Sequence, residues 1–219
     1  MKYKAFIFDL NGTMVDDMAY HINAWHSIVN GLGANLSLER VKEECYGKNE
    51  EVLERIFPCR FTEEKKTALG LEKEKQYRLE FKPRLKLIKG LDIFLEQTNK
   101  AGIKMAIGSA AIMPNIDFVL DGLHLRKYFD VIVSADDVTH SKPDPETYLK
   151  CAEQLNTDAK DCLVFEDAPK GVETANNAGM GCVVITTMHT KEEFKSYSNV
   201  IRIINDYESV DYKTNFYNF

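Results

Sequence analysis

Six short apolar runs recur along the chain, and helical stretches follow most of them. The runs are rich in Val, Ile and Phe, do not alternate with polar residues, and span residues 5–8, 104–109, 130–135, 162–167, 181–186 and 200–204. Such runs are typical of parallel strands that are buried on both faces. The helical stretches between the later runs span residues 91–100, 112–120, 146–156 and 170–178. This alternation predicts a doubly wound α/β fold with a parallel sheet.

The interval between the first two runs contains only helical patterning. Its apolar residues follow helical spacing over residues 17–31, 37–44, 49–57 and 63–81. We therefore predict an inserted α-helical cap domain over residues 16–84, on a core formed by residues 1–15 and 85–219. The tail KTNFYNF after Tyr212 has no partner in this scheme, and we expect it to fray or to pack on the surface.

Composition excludes several functional classes. The 28 Lys and Arg residues against 34 Asp and Glu residues give a net charge of −6, which argues against a general nucleic-acid binder. No apolar run approaches the roughly 18 residues of a membrane helix, and the N-terminal segment lacks the features of a signal peptide. The cysteines follow no zinc spacing, and we expect no disulfide framework and a cytoplasmic location, with Cys162 and Cys182 as small buried apolar residues. The oligomeric state stays open.

Polar side chains follow four of the predicted strands. Asp9 follows the first, Ser109 ends the second, Lys142 lies in the loop after the third, and Glu166-Asp167 end the fourth. In an open α/β sheet, ligands bind beyond the carboxyl ends of the strands. A carboxylate, a hydroxyl at a helix start, a lysine and an acidic pair in this order indicate phosphate chemistry on a magnesium ion.

Each of these side chains has a part in such chemistry. Mg²⁺ prefers oxygen ligands, which Asp9 and Asp167 can supply, and Asp9 can also attack phosphorus as a nucleophile. Ser109 and the amides after it, beginning with Ala110, would cradle phosphoryl oxygens at a helix N-terminus. Lys142 would neutralise the charge of the phosphoryl group, of Asp9, or of both. Each residue alone also fits an ordinary turn, cap or surface role, and the order of all four carries the interpretation.

The segments FDLNGT, IGSA, SKPDP and FEDAPKGVETANNAGM resemble the four motifs of haloacid dehalogenase superfamily phosphatases. The similarity is to the β-phosphoglucomutase-like branch, whose helical cap is inserted after the first motif of a Rossmann-like core. The resemblance implies that Asp9 is the nucleophile and a metal ligand. It implies that Ser109 and Lys142 bind phosphate. It also implies that Glu166 and Asp167 hold Mg²⁺, and that of these two Asp167 is the one expected to bind the metal directly.

The first motif departs from the family pattern at one position. Asn11 occupies the place of the family's general acid/base, whose backbone carbonyl also binds magnesium, and an amide has no proton to give. General acid–base help worth roughly 10²–10⁴-fold is then missing. A good leaving group such as a carboxylate needs little protonation, or Asp16, Asp17 or a cap residue supplies the proton, or the protein binds without turnover. A substitution introduced to trap a complex would look the same.

The sequence therefore predicts a Mg²⁺-dependent phosphohydrolase that acts on a small phosphorylated metabolite through an aspartyl-phosphate, with no nucleic-acid or membrane partner. The alternatives are a hexose-phosphate mutase and a phosphometabolite-binding protein. In mutases of this branch two basic cap residues grip a second phosphate, and here Tyr46 and Glu50 occupy those positions, with Lys48 between them. His21 resembles a histidine near the cap hinge of several relatives. His21 and Trp25 could face the site or pack the cap, and His21 and Lys48 are the possible cap contacts to substrate.

Overall fold

The computed structural model of the chain describes residues 3–208 and residue 210. Its residues divide into two compact units. The core contains the residues up to Asp16 and those from Lys86 onward, and the cap contains Asp17–Leu85. Over the described part of the chain, no helix has the length and apolar character needed to cross a membrane. The tail after Tyr212 lies outside the described residues.

A six-stranded parallel sheet forms the centre of the core, and all six predicted strands are confirmed. The strands are β1 (Ala5–Phe8), β2 (Lys104–Gly108), β3 (Val131–Val133), β4 (Cys162–Glu166), β5 (Gly181–Ile185) and β6 (Val200–Ile204). Their order across the sheet is β3-β2-β1-β4-β5-β6. The chain runs outward from β1 through β2 to β3 and then returns to the other side of β1. The switch point of this doubly wound sheet therefore lies between β1 and β4, where such folds bind their ligands.

The cap consists of helices, as its sequence pattern predicts. They are α1 (Met18–Gly31), α2 (Leu38–Glu44), α3 (Asn49–Ile56) and α4 (Glu63–Phe81), followed by a short 3₁₀ turn over Lys82–Arg84. Ser37 and Thr62 begin α2 and α4, and their side chains accept hydrogen bonds from backbone amides of the first turn. Helix α4 buries the charged side chains of Lys73 and Glu74 together with apolar ones.

Over the described residues, four further α-helices belong to the core. They are α5 (Leu91–Lys100), α6 (Met113–Gly122), α7 (Glu146–Gln154) and α8 (Pro169–Asn177). Phe94 of α5 stacks on Phe6 of β1 with ring centroids 5.9 Å apart and lies 5.4 Å from the ring of Phe165 in β4. Burying each aromatic ring is worth roughly 1.5–3 kcal/mol. This aromatic layer holds together the two strands whose ends carry the candidate site.

The cysteines are free thiols, as their spacing predicts. Cys151, Cys162 and Cys182 are buried. Burial raises the pKa of the Cys162 thiol to about 11, so this side chain stays protonated at neutral pH. Cys162 and Cys182 therefore behave as the predicted small apolar side chains.

Candidate active site

The loop after β1 makes a tight turn beside β4. The Asp9 N–H donates to the carbonyl of Phe165 at 3.0 Å, and the Gly12 N–H closes the turn on the carbonyl of Val15 at 2.8 Å. Gly12 has a φ of +75°, and a Cβ at this position would lie 2.1 Å from Oδ2 of Asp167. Glycine therefore gives the loop both its left-handed conformation and its close approach to the Asp167 carboxylate.

Lys142 lies between carboxylates from two strand ends. Its Nζ donates to Oδ1 of Asp9 at 2.9 Å and to Oε1 of Glu166 at 2.6 Å. It also donates to the hydroxyl of Tyr148 at 2.7 Å, and that hydroxyl donates to the same Glu166 oxygen at 2.9 Å. The Lys142 side chain is only 9% exposed. The structure thus brings three of the predicted site residues, Asp9, Lys142 and Glu166, into direct contact.

The two acids at the end of β4 have different surroundings. Glu166 accepts at Oε1 from Lys142 and Tyr148, and at Oε2 from the backbone N–H groups of Asp167 (2.8 Å) and Ala168 (2.9 Å). The hydroxyl contacts of Asp167 are long, at 3.4 Å from Thr13 and 3.5 Å from Thr187. Both oxygens of Glu166 are therefore committed to protein donors. That Asp167 is the more direct metal ligand stays a prediction.

Burial dominates the electrostatics of this cluster. It raises the pKa of Asp9 to about 7, although the positive charge of Lys142 acts in the opposite direction. Burial also opposes the charge of Glu166 and of Lys142. Their mutual attraction and hydrogen bonds nevertheless hold the Glu166 pKa below and the Lys142 pKa above their usual values. Lys142 therefore stays protonated, and the negative charge of Asp9 is less well compensated than that of Glu166.

The donor set fits a hard divalent cation. Asp9, Glu166 and Asp167 each offer a carboxylate oxygen, and these oxygens lie within 4.8 Å of one another. Lys142 pairs with two of these three buried carboxylates. Carboxylate oxygens are ligands that Mg²⁺ accepts, usually one or two of them together with water and phosphate oxygens. A magnesium ion at this position would also lower the pKa of Asp9, because its positive charge stabilises the carboxylate.

The predicted phosphate-binding segment follows β2. The register pairs Phe8 of β1 with Ile107 of β2, so Asp9 and Ser109 leave neighbouring strand ends. Ser109 is buried, and its hydroxyl accepts from the Ala111 N–H at 3.2 Å. Ala110 is exposed. The geometry thus places this turn beside the Asp9 loop.

Asn11, which stands where the family has its general acid/base, lies in the turn after Asp9. Asn11 is half-buried, and its backbone pairs with Val15 in an isolated bridge. Of the two nearby acids that could replace it as proton donor, Asp17 is fully buried and accepts a 2.5 Å hydrogen bond from the Tyr77 hydroxyl inside the cap. Asp16 is exposed and is therefore the more accessible of the two.

The remaining predicted residues belong to the cap. His21 stacks on Tyr77 with ring centroids 3.7 Å apart, and its Nδ1 lies 2.7 Å from Nζ of Lys73. Trp25 is buried, with the Lys73 amine 5.5 Å from the centre of its ring. Lys48 begins α3, and its backbone N–H donates to Glu51. His21 and Trp25 therefore have packing roles inside the cap, whereas any contact of His21 or Lys48 with substrate stays a prediction.

Sequence reasoning missed two side chains of the site. Tyr148 lies on α7 among apolar residues, and nothing in its local pattern distinguishes it from a core tyrosine. Thr187 follows β5, and its hydroxyl donates to the Gly12 carbonyl at 2.7 Å. The segment after β5 also lies at the carboxyl edge of the sheet, so Thr187 could have been predicted in the same way as the other site residues.

Comparison with known proteins identifies the family of the chain. The family model described as haloacid dehalogenase-like hydrolase matches residues 6–185. The chain belongs to this family. Within the family, it is 29% identical to the fructose-1-phosphate phosphatase YqaB of Escherichia coli (strain K12), over 83% of this chain and 96% of that protein. It is 32% identical to the phosphorylated carbohydrates phosphatase of Thermotoga maritima, over 81% of this chain and 82% of that protein.

A solved structure shows the same fold over nearly the whole chain. The β-phosphoglucomutase of Clostridium difficile superposes on this chain with a TM-score of 0.85 and 26% sequence identity. The match covers 96% of this chain and 94% of the chain of that structure. The resemblance to β-phosphoglucomutase-like phosphatases that the motifs indicated is therefore confirmed. This haloacid dehalogenase-like hydrolase is an enzyme of the phosphatase type.

Proposed function

We propose that this haloacid dehalogenase-like hydrolase is a Mg²⁺-dependent phosphohydrolase that passes the phosphoryl group of a small phosphorylated metabolite to Asp9 and then to water. The observation that carries the proposal is the buried contact of Lys142 with Asp9 and Glu166, beside Asp167, at the switch point of the sheet. A buried lysine among carboxylates at this position has a chemical use, because it can stabilise negative charge that develops on a phosphoryl group.

Asp9 would carry out the chemical step. One oxygen of its carboxylate attacks phosphorus, the bond from phosphorus to the leaving oxygen breaks, and the leaving group takes the electron pair. Lys142 holds Oδ1 of Asp9 and so fixes the direction in which the other oxygen points. Water then attacks the phosphorus of the aspartyl-phosphate, which releases inorganic phosphate and restores the carboxylate. Ser109 and the amide of Ala110 would bind phosphoryl oxygens throughout.

The metal site follows from the same residues. Asp9 and Asp167 would hold Mg²⁺, together with the backbone carbonyl of Asn11, while Glu166 mainly holds Lys142. When bound, the ion supplies Lewis-acid polarisation of the phosphoryl group and neutralises part of its charge. Gly12 supports this assignment, because its missing side chain lets the loop approach Asp167.

Two observations bear on the substrate. The relatives named above are named for phosphatases of phosphorylated carbohydrates, which favours a small phosphorylated metabolite. Asn11 provides no proton for an alkoxide leaving group. Among small phosphorylated compounds, we therefore expect faster turnover of those whose leaving group departs without protonation, such as acyl phosphates and anhydrides.

The test is release of inorganic phosphate from acetyl phosphate, pyrophosphate and a panel of sugar phosphates, with Mg²⁺ or with excess EDTA. We expect Mg²⁺-dependent release that Asp9→Ala lowers by at least about 10⁴-fold, because the nucleophile is lost. Asp92→Ala, which removes an exposed carboxylate of α5, is the matched control and should retain full activity. Undiminished release in EDTA, or from folded Asp9→Ala, would contradict the proposal.

A mutase is the second candidate, because the solved structure above is named a β-phosphoglucomutase. The cap argues against it. The Arg55 guanidinium stacks on the Tyr46 ring at 3.7 Å and donates to the Tyr46 carbonyl, while Glu50 accepts a hydrogen bond from Thr67. The Arg55 guanidinium is therefore already engaged, and Glu50 would repel a second phosphate. Conversion of β-glucose 1-phosphate to glucose 6-phosphate without phosphate release would favour the mutase instead.

A further inference from the structure

The hydroxyl of Tyr148 lies in the charged centre of the site although the residue comes from the middle of a helix. It is fully buried, and its two hydrogen-bond partners are Lys142 Nζ at 2.7 Å and Glu166 Oε1 at 2.9 Å. Lys142 Nζ lies 2.6 Å from the same Glu166 oxygen, so the three atoms form a nearly equilateral triangle. The Lys142 amine also lies 4.7 Å from the centre of the Tyr148 ring. None of the steps assigned to Asp9 uses this tyrosine.

A glycine in the neighbouring strand makes room for the ring. A Cβ on Gly108, the last residue of β2, would lie 2.9 Å from Cδ1 and 3.0 Å from Cε1 of Tyr148. It would also lie 3.0 Å from Sγ of Cys151, one turn further along α7. The backbone of β2 thus forms the floor on which the ring of Tyr148 lies. The ring has little freedom to move, and its hydroxyl is held at a fixed point.

The hydrogen bonds of Lys142 give this hydroxyl a specific part. A protonated lysine has three N–H donors, and those of Lys142 face Asp9, Glu166 and Tyr148. A phosphoryl oxygen can take one of these donors only if a protein acceptor gives it up. All three hydrogen bonds have a charged donor, but an ionised carboxylate adds its own negative charge to the attraction, whereas the Tyr148 hydroxyl is neutral. The neutral hydroxyl of Tyr148 is therefore the partner that is easiest to exchange.

We propose that Tyr148 is a positioning residue for phosphoryl transfer, whose hydroxyl holds the Lys142 amine against Asp9 and gives up one Lys142 N–H to the substrate phosphoryl oxygen. This inference rests on the proposed function. Before substrate binds, the hydroxyl keeps the third donor of the buried ammonium satisfied. After the exchange it still donates to Glu166, so Glu166 and through it Lys142 keep their orientation.

The test is Tyr148→Phe, which keeps the ring and removes only the hydroxyl. We expect kcat with acetyl phosphate to fall about 10-fold to 100-fold, the range for residues that orient a catalytic group through a second contact. KM should stay within about 3-fold of wild type, because an N–H of Lys142 becomes available without exchange. In the presence of Mg²⁺, calorimetric binding of orthovanadate, which resembles the transition state, should weaken as kcat does. Binding of inorganic phosphate should change little.

Tyr128→Phe is the matched control, because the Tyr128 hydroxyl also donates to a carboxylate, that of Glu96 at 2.9 Å, but outside the site. It should leave kcat and orthovanadate binding unchanged. Unchanged kcat and orthovanadate binding in Tyr148→Phe would overturn the inference. Equal weakening of orthovanadate and phosphate, with a lower midpoint of thermal unfolding, would also overturn it, because the hydroxyl would then be structural. The calorimetry needs no turnover, and activity of Asp9→Ala separately tests the proposed function.

Discussion

The core and the cap each bury a lysine beside a glutamate, yet they do so in different ways. Lys142 in the core contacts side chains from distant parts of the chain, Asp9 and Glu166. Lys73 in the cap contacts its neighbour Glu74 at 2.9 Å and His21 at 2.7 Å, so its partners lie on the two helices α1 and α4. The first arrangement depends on the ends of several strands, and the second on the packing of two helices.

The two clusters also differ in how their carboxylates are satisfied. In the cap, Glu74 accepts from Lys73 and from the Asn49 amide at 3.0 Å, and Asp17 accepts from the Tyr77 hydroxyl. In the core, burial raises the pKa of Asp9 to about 7 even with Lys142 beside it. A carboxylate that is costly to charge is better stabilised by an added cation. The core cluster is therefore suited to accept a cation, whereas the cap carboxylates have side chains of the cap helices as partners.

Replacing each lysine by methionine is the strongest way to break this comparison. We expect Lys142→Met to lower kcat by about 10³-fold, because a preorganised charge on the phosphoryl group is lost. We expect Lys73→Met to destabilise the cap by about 3–5 kcal/mol, because it leaves Glu74 buried without its cation. Denaturation followed by the fluorescence of Trp25, the only tryptophan of the chain and a cap residue, measures the second effect.

Mg²⁺ provides the matching control. The ion should raise the stability of Lys142→Met by more than that of the wild type or of Lys73→Met, because only in Lys142→Met does it also compensate carboxylates that lost their lysine. Equal losses of kcat in the two variants under conditions where both are folded would mean that the cap lysine also takes part in the reaction.

The difference between the clusters also explains what the sequence could predict. Buried parallel strands leave distinctive apolar runs, and their carboxyl ends meet at one edge of the sheet, so the convergence of Asp9 and Glu166 at this edge was predictable. The position of Tyr148 depends on how α7 lies on β2 at Gly108, which no local pattern records. Likewise, the charged sequence of α4 does not show that Lys73 is buried, because its partners are set by the packing of α1.

The next largest effect is expected when the missing acid is restored at position 11. Asn11→Asp should speed the hydrolysis of alkyl phosphates by about 10²-fold or more, because an alkoxide leaving group needs a proton. Acetyl phosphate should gain much less, since its carboxylate leaves unaided. Steady-state kcat with both substrate classes measures the difference. Asn followed by Gly is prone to deamidation, so peptide mass analysis must verify the amide in the wild-type protein.

The outcome separates the possible proton donors. If an active and verified wild type gains nothing with either substrate class, another residue supplies the proton, and Asp16 becomes the first variant to make because it is exposed. A loss of alkyl phosphatase activity in His21→Gln would point to the cap cluster instead. If neither form turns over any phosphate compound but both bind phosphometabolites, the protein is a binding module.

The two adjacent acids of β4 provide a finer comparison inside the core. Asp167→Asn should weaken Mg²⁺ binding by about 10-fold to 100-fold, because its carboxylate is the better placed ligand. Glu166→Gln should change the Mg²⁺ affinity less and lower kcat instead, because Glu166 uses its oxygens to hold Lys142 and two backbone amides. Titration calorimetry with Mg²⁺ measures the affinity, and a larger loss in Glu166→Gln would reverse the two assignments.

The smallest expected effect concerns the pH dependence of cap stability. Burial and the charge of Lys73 lower the pKa of His21, although Asp17 and Glu74 act in the opposite direction. In the unfolded chain the histidine has its ordinary pKa of about 6.5, so below that pH the unfolded state binds more protons than the folded state. The cap should therefore lose stability as the pH falls below about 6.5, and the contribution of His21 should be fully present above it.

Trp25 fluorescence during urea denaturation at several pH values measures this dependence in the cap. His21→Gln keeps a hydrogen-bond acceptor for Lys73 and removes the titration, so it should flatten the loss between about pH 6.5 and 5. His26→Gln, on the same helix but only half-buried, is the matched control and should leave the profile unchanged. Asp9 should give the metal-free core the opposite dependence. Its folded-state pKa of about 7 lies above the ordinary 3.8, so its contribution is lost as the pH rises between these values. If His21→Gln had the same profile as the wild type, the imidazole would not be held neutral in the folded cap, and the contrast between the two clusters would lose its electrostatic basis.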